Sequence, residues 1–231
     1  MKTIGLLGGM TAESSAEYYK LINLFTREKL GGNHSAKSVM VSVDFGEMEP
    51  LMEKGEWDKL RSRMSETALN VEKGGADFLV ICTNTIHKFA DHIENMLNIP
   101  VLNLIDTVAD RITNMGFKKV GLLGTRFTME EDFYKMRLLE KHGIESIIPE
   151  KNDREFIHKV IVDELSIGNF KGSSREGYIK IMQKLSDEGA EGVILGCTEI
   201  PLLVKREHCN IPIFDTTTIH AETAVATALS T

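Results

Sequence analysis

Short apolar runs alternate along this chain with longer stretches in which apolar and polar positions mix. TIGLLG (3–8), SVMVSV (38–43), DFLVIC (77–82), KVGLLG (119–124) and GVILGC (192–197) are strand-length and rich in Val, Ile and Leu. Runs without strict alternation suit strands covered on both faces, as in parallel sheets. The segments between them read as helices. Ser14-Ser15-Ala16-Glu17 has the Ser-x-x-Glu form of a capping box and predicts a helix through about Leu30. Thr128-Met129-Glu130-Glu131 repeats the signal before FYKMRLLEKH. Strand, helix, strand, helix implies βαβ units with right-handed crossovers, and so an α/β fold.

The pattern also recurs within the chain. TIGLLGGM (3–10) matches KVGLLGTR (119–126) at an offset of 121 − 5 = 116, and the two capping signals match at 128 − 14 = 114. GGADFLVICTNT (74–85) lies over EGAEGVILGCTE (188–199) at 189 − 75 = 114, and NIPVLN (98–103) over NIPIFD (210–215) at 112. Four landmarks in one order predict a duplicated α/β unit: two similar parallel-sheet domains. The overlay sets Cys82 on Gly196, Thr83 on Cys197, Asn84 on Thr198 and Thr85 on Glu199. The first-half partner of Cys197 is therefore a threonine. Cys82 stands one step earlier on its strand, which turns its side chain to the opposite face, toward a covering helix.

Composition narrows the function. With 231 residues, 42% apolar and 26% charged, the chain is ordinary for a water-soluble globular protein. A net charge of −7 supplies no cationic excess for nucleic acid. No apolar stretch approaches a membrane span, and MKTIGLLGGM reads as a buried first strand rather than an export signal. Cys82, Cys197 and Cys209 are an odd count without framework spacing, which fits reduced thiols in a cytoplasmic protein. The scattered histidines give no zinc spacing.

Candidate chemistry gathers where apolar runs end. Ligands of open parallel sheets bind beyond the carboxyl ends of the strands. Gly8-Gly9-Met10, Thr83-Asn84-Thr85, Thr125 to Thr128 and Cys197-Thr198-Glu199 all occupy such ends. Two duplicated halves facing each other would bring them around one interdomain cleft. GLLGGM is neither the dinucleotide fingerprint nor a P-loop, so nothing requires a nucleotide, and no other cofactor is demanded. Cys197 reads either as a buried free cysteine or as a thiol that takes and returns a proton. Its place before polar Thr198 and Glu199 favours the second reading, in which tuning would lower its pKa. Thr83 carries a weaker acid, suited to donating or relaying a proton or to binding an oxyanion. Asn84, Thr85 and Thr198 supply neutral donors and acceptors, or helix caps. His87 and His220 read as hydrogen-bonded structural histidines able to orient a neighbour.

At GLLGGM (5–10), TNTIH (83–87), GLLGT (121–125), GCTEI (196–200) and DTTTIHA (215–221) the sequence resembles the aspartate/glutamate racemase family over essentially its whole length. The resemblance implies a cofactor-independent isomerase of amino acids, a homodimer of two-domain α/β subunits with the active site between the domains. It implies a first domain of residues 1–105 plus a returning C-terminal helix 216–231, and a second of residues 106–215. Family members carry a cysteine on each side of the substrate. The carry-over gives Cys197 one of those roles, with Thr83 in the place of the other. Met10, Met52, Asn84, Thr85, Thr125, Arg126, Thr198 and Glu199 then fall among substrate-binding positions.

Two departures matter. Thr83 in a cysteine's place implies racemisation that starts readily from the L enantiomer at Cys197 and slowly from the other face. The segment VDFGEMEPLMEKGEW (43–57) lacks the arginine that many acidic-amino-acid racemases carry there. That resembles a subgroup of wider specificity, with Arg126 as the nearest alternative cation. Aspartate or glutamate is the first expectation, and neutral or broader amino acids follow. A single-cysteine decarboxylase of the same superfamily, and a non-catalytic binding protein, are the competing readings.

Overall fold

The computed structural model describes residues 1–230; Thr231, the last position of the expected C-terminal helix, lies outside the described residues. The chain divides into two compact units, Met1–Leu104 with the chain from His220 onward, and Ile105–Ile219.

The first unit runs β1 (Ile4–Gly8), α1 (Ala12–Leu30), β2 (Ser38–Ser42), α2 (Phe45–Glu53), α3 (Trp57–Lys73), β3 (Phe78–Ile81), a 3₁₀ turn at Thr85–Phe89, α4 (Ala90–Glu94) and β4 (Val101–Leu102). The strands are parallel in the order β2-β1-β3-β4, with Leu7 opposite Ile81. Every residue of β1 and β3 is buried, because helices cover both sheet faces. Leu7, Leu79 and Ile81 pack in one cluster with Leu60, Met64 and Ala68 of α3. Ile4, Leu6, Val80 and Cys82 point the other way, against Tyr18 and Ile22 of α1 and Ala221, Ala224 and Val225 near the C-terminus. The split follows the two-residue period of a strand. Each such Leu or Ile contributes about 1.5–3 kcal/mol over exposure.

The second unit follows from α5 (Leu104–Asn114), whose first residue belongs to the first unit. It continues β5 (Lys119–Gly124), α6 (Arg126–Glu130), α7 (Asp132–His142), β6 (Glu145–Ile147), α8 (Lys151–Asp163), α9 (Gly172–Asp187), β7 (Gly192–Gly196), α10 (Ile200–Leu203) and β8 (Ile213–Asp215). The last helix, α11 (Thr216–Leu229), crosses from this unit into the first at His220. The sheet order is β6-β5-β7-β8, again all parallel, so the second unit repeats the topology of the first. The offsets survive in the elements: Gly8 to Gly124 is 124 − 8 = 116, and Phe78 to Gly192 is 192 − 78 = 114. Leu123, Val193 and Leu195 pack against Ile157 and Val160 of α8 and Tyr178, Ile181 and Leu185 of α9. A bidentate Arg137–Asp106 pair at 2.7 Å, joined by Lys141 and His142, ties α7 to α5.

Two local expectations change, and one strand was unmarked in sequence. Ser14 does not cap α1. Thr11 does, its Oγ1 accepting from the Ser14 N–H at 3.1 Å, while Ser14 and Ser15 donate back to the Thr11 carbonyl. A hydroxyl one turn earlier reaches the free amide better than one already inside the helix. Thr128 lies within α6, and the helix of FYKMRLLEKH begins at Asp132 after Glu131 turns extended. Strand β6 carried no apolar run, since it is a three-residue, half-exposed strand at the sheet edge.

His220 pins the C-terminal segment within the first unit. Its Nε2 lies 2.8 Å from the Leu102 carbonyl, which can only accept, so the proton sits on Nε2. Nδ1 then accepts from the Tyr18 hydroxyl at 2.9 Å. Burial, followed by the neighbouring His87, depresses the imidazole pKa from 6.5 to about 3, against the opposing pull of the Leu102 bond. The unfolded chain therefore binds a proton below pH ~6.5 that the folded chain refuses until about pH 3. Stability is expected to fall by up to about 1.4 kcal/mol per pH unit across that window. Urea unfolding at pH 7, 5.5 and 4.5 checks it: His220→Gln should flatten the dependence, and an unchanged slope would remove His220 as its source.

Candidate active site

The strand order fixes where a ligand can sit in each unit. In the first, α1 carries the chain from β1 to one side, while β3 leads on to the other, and β1 and β3 are neighbours. Crossovers that leave in opposite directions open a crevice at the carboxyl ends of such a pair. Gly8-Gly9-Met10 and Thr83-Asn84-Thr85 stand at the ends of β1 and β3, and Gly124-Thr125-Arg126 and Cys197-Thr198-Glu199 at the ends of β5 and β7.

At the first crevice the backbone turns tightly. Gly9 adopts φ 92°, and a Cβ there would run into the Val43 carbonyl. Its N–H donates to Ser15 Oγ at 2.8 Å. Met10 is buried in one cluster with Leu7 and Met48, and Met52 packs half-buried against it from α2. The segment 43–57 that lacks arginine thus folds mainly as α2, capped by Asp44 on the Gly46 N–H at 2.9 Å. The Cys82 N–H reaches the Leu7 carbonyl at 3.0 Å, carrying the ladder to the threshold of half-buried Thr83. Asn84, Thr85 and His87 are buried. Cys82 itself is enclosed, and burial pushes its thiol far above the ordinary range.

At the second crevice, fully buried Thr128 rests on paired glycines. A Cβ on Gly124 would come within 2.9 Å of the Gly196 carbonyl and 3.0 Å of Thr128. Thr125 Oγ1 lies 3.4 Å from Thr128 Oγ1, and the Arg126 N–H donates to His158 Nδ1 at 3.4 Å. The half-buried Arg126 guanidinium lies 4.8 Å from the Phe127 ring centre. Thr198 and Glu199 are buried and Cys197 is partly covered. The Cys197 thiol donates to Glu199 Oε2 at 2.9 Å. Beneath lies fully buried Tyr178, donating to the Ile157 carbonyl at 3.1 Å.

This arrangement reverses the expected tuning of Cys197. Burial, then the Glu199 carboxylate, raise its pKa well above the ordinary thiol value, and the amides of Thr198 and Glu199 pull the other way less strongly. The raised pKa favours the thiol form, whose hydrogen faces Glu199 Oε2. Glu199 stood only among binding positions in the sequence. Its contact with Cys197 was readable from Cys-x-Glu at a strand end, which sets two acids within hydrogen-bonding reach. Among the described residues, no three His, Cys, Asp or Glu side chains gather as a metal site.

The model of the Asp/Glu/Hydantoin racemase family matches residues 7–224. The chain belongs to that family. A Yersinia pestis protein named for the Asp/Glu racemases is 46% identical, with a TM-score of 0.93 and both chains covered completely. An aspartate racemase homologue from Pyrococcus horikoshii OT3 is 35% identical with a TM-score of 0.88, again over 100% of each chain. The broad specificity amino-acid racemase RacX of Bacillus subtilis (strain 168) is 22% identical over 232 residues, 98% of each chain. These members of the Asp/Glu/Hydantoin racemase family set the enzyme class: racemases are isomerases. No helix among the described residues is long and apolar enough to cross a membrane.

The sulfur–carboxylate contact is testable apart from activity. Glu199→Gln removes the negative charge that raises the Cys197 pKa, so thiolate at pH 8 should increase and iodoacetamide labelling of Cys197 should accelerate by about 3–10-fold. Slower or unchanged labelling, followed by peptide mass spectrometry, would show that the carboxylate does not hold the thiol proton.

Proposed function

We propose that this protein racemises amino acids without a cofactor, using Cys197 and Thr83 on opposite faces of the substrate Cα. The supporting observation is that both residues follow the central pair of strands in their unit, at equivalent places of a repeated topology, in a chain matched from 7 to 224 by a racemase family model. From the L enantiomer the Cα–H bond breaks, and its proton goes to the Cys197 sulfur, whose own proton has passed to Glu199. The electron pair left on Cα spreads into the carboxyl group. The Thr83 hydroxyl then gives its proton to the opposite face, forming the D enantiomer; Thr83 is reprotonated from solvent while Glu199 gives its proton back to solvent, which restores the starting enzyme. Asn84, Thr85 and Thr198 hold the amino and carboxyl groups, with buried donors that strengthen charge stabilisation. Met10, Met52, Thr125 and Arg126 border the side-chain position. The working assembly in this reading is a cytoplasmic homodimer, with domains divided near 105 and 216.

Aspartate or glutamate is the first substrate class, with Arg126 as the cation for the distal carboxylate. Similarity to RacX over 98% of each chain favours a second reading, broader acceptance of neutral side chains. The two differ in what Arg126→Ala does: selective loss of acidic substrates supports the first, and an even effect supports the second.

Incubation of L- and D-amino acids in heavy water tests the mechanism. Deuterium should enter Cα of L-substrate fast and of the D enantiomer slowly, because the Thr83 hydroxyl is a poor base. Cys197→Ser should cut both by at least about 10²-fold, and Thr83→Cys should speed the slow side. Equal rates from both enantiomers in the wild type would overturn the asymmetric pair, and exchange from neither would overturn racemisation.

A further inference from the structure

The buried histidines of the first unit form a relay of contacts that ends on the backbone of Thr83. His87 Nε2 accepts from the Leu104 N–H at 3.0 Å. An amide N–H can only donate, so Nε2 carries no proton and the neutral ring bears its hydrogen on Nδ1. Nδ1 lies 2.8 Å from the Thr83 carbonyl and therefore donates to it. Both ends of the ring are thus used by groups whose donor or acceptor character is fixed. A protonated His87 would turn Nε2 toward the Leu104 N–H as a second donor and lose that bond. The ring is 5% exposed and packs edge-on to His220 at 5.8 Å, which Tyr18 and the Leu102 carbonyl hold in turn.

We propose that His87 is a positioning residue for Thr83, clamping its carbonyl from Nδ1–H while Leu104 fixes the ring from Nε2. The inference rests on the assignment of Thr83 as one of the two proton-transferring groups. Its physical basis is that Thr83 follows the last ladder bond of β3 and precedes a 3₁₀ turn rather than an α-helix. Where its carbonyl points, its Cα and hydroxyl must follow. The bond from His87 to Thr83 reaches four residues back, so it also sets where the turn begins. A hydroxyl that must deliver a proton to one face of Cα loses rate steeply with misplacement, about 10²-fold for 1 Å. The Cys197 side of the reaction uses none of these contacts, and this asymmetry separates positioning from a general contribution to stability.

The test compares two isosteric replacements. His87→Asn places an amide N–H near the Nδ1 position and keeps the Thr83 contact while dropping Leu104. His87→Gln reaches the Nε2 position and keeps an acceptor for Leu104 while dropping Thr83. With L-aspartate and L-glutamate in heavy water, two rates are read: deuterium entering L-substrate with retention, which needs only Cys197, and inversion to the D enantiomer, which needs Thr83. His87→Gln should slow inversion by about 10–100-fold and leave retained exchange within about 3-fold, whereas His87→Asn should restore most of the inversion rate. Tyr18→Phe, acting one ring further out through His220, supplies the same ratio should the His87 variants fail to fold, and should lower inversion selectively. Equal losses of both rates in any folded variant, or equal inversion in the Asn and Gln variants, would overturn the positioning role. Absence of exchange in the wild type would instead refute the proposed racemisation itself.

Discussion

The ordering of strands in each sheet is the constraint from which the rest follows. A parallel sheet of order 2-1-3-4 must send its crossovers away from the central pair in opposite directions, and the ends of those two strands stay uncovered. Gly8-Gly9-Met10, Thr83-Asn84-Thr85, Gly124-Thr125-Arg126 and Cys197-Thr198-Glu199 each stand at one of four such ends. The glycines there serve the same end: Gly9 lets the chain double back beside Val43, and Gly124 with Gly196 lets Thr128 settle on the second sheet. The buried strands behind them, packed on both faces, keep those ends in place against the motions of the loops.

Much of this was legible in the residues because the buried strands are written as unbroken apolar runs. The five runs became β1, β2, β3, β5 and β7, and the internal offsets of 116 and 114 reappear between equivalent strands. The Gly196–Cys82 correspondence also placed Cys82 on the helix-covered face, where it packs with Tyr18 and Ala221. What escaped was decided by side-chain reach rather than hydrophobic period. The Ser-x-x-Glu form pointed to Ser14, and only geometry shows that the Thr11 hydroxyl meets the free amide. Strand β6 is half-exposed and three residues long, too short to leave a periodic trace. His87 reads in sequence as one more interior histidine. Its partners are two backbone groups, and backbone groups leave no signature in a one-letter code.

The two positions proposed for proton transfer pose unequal chemical problems. Cys197 starts as a stronger acid than a hydroxyl, yet burial and Glu199 both work against its ionisation. Thr83 has no such partner chemistry, and its environment instead fixes geometry through the backbone. The surroundings of Cys197 are thus organised around proton affinity and those of Thr83 around placement, which is a physical reason for a duplicated fold to tolerate different residues at equivalent positions.

The shared proton between Cys197 and Glu199 has a bearing on durability. Peroxides attack thiolates far faster than thiols, and the first product, a sulfenic acid, is rescued most readily by a neighbouring cysteine. Cys82 is sealed in the interior, and Cys209, a free thiol, packs beside Met182. A sulfur kept protonated until a carbon acid arrives spends little time in its vulnerable form. The same contact that raises the Cys197 pKa therefore favours the less readily oxidised thiol form.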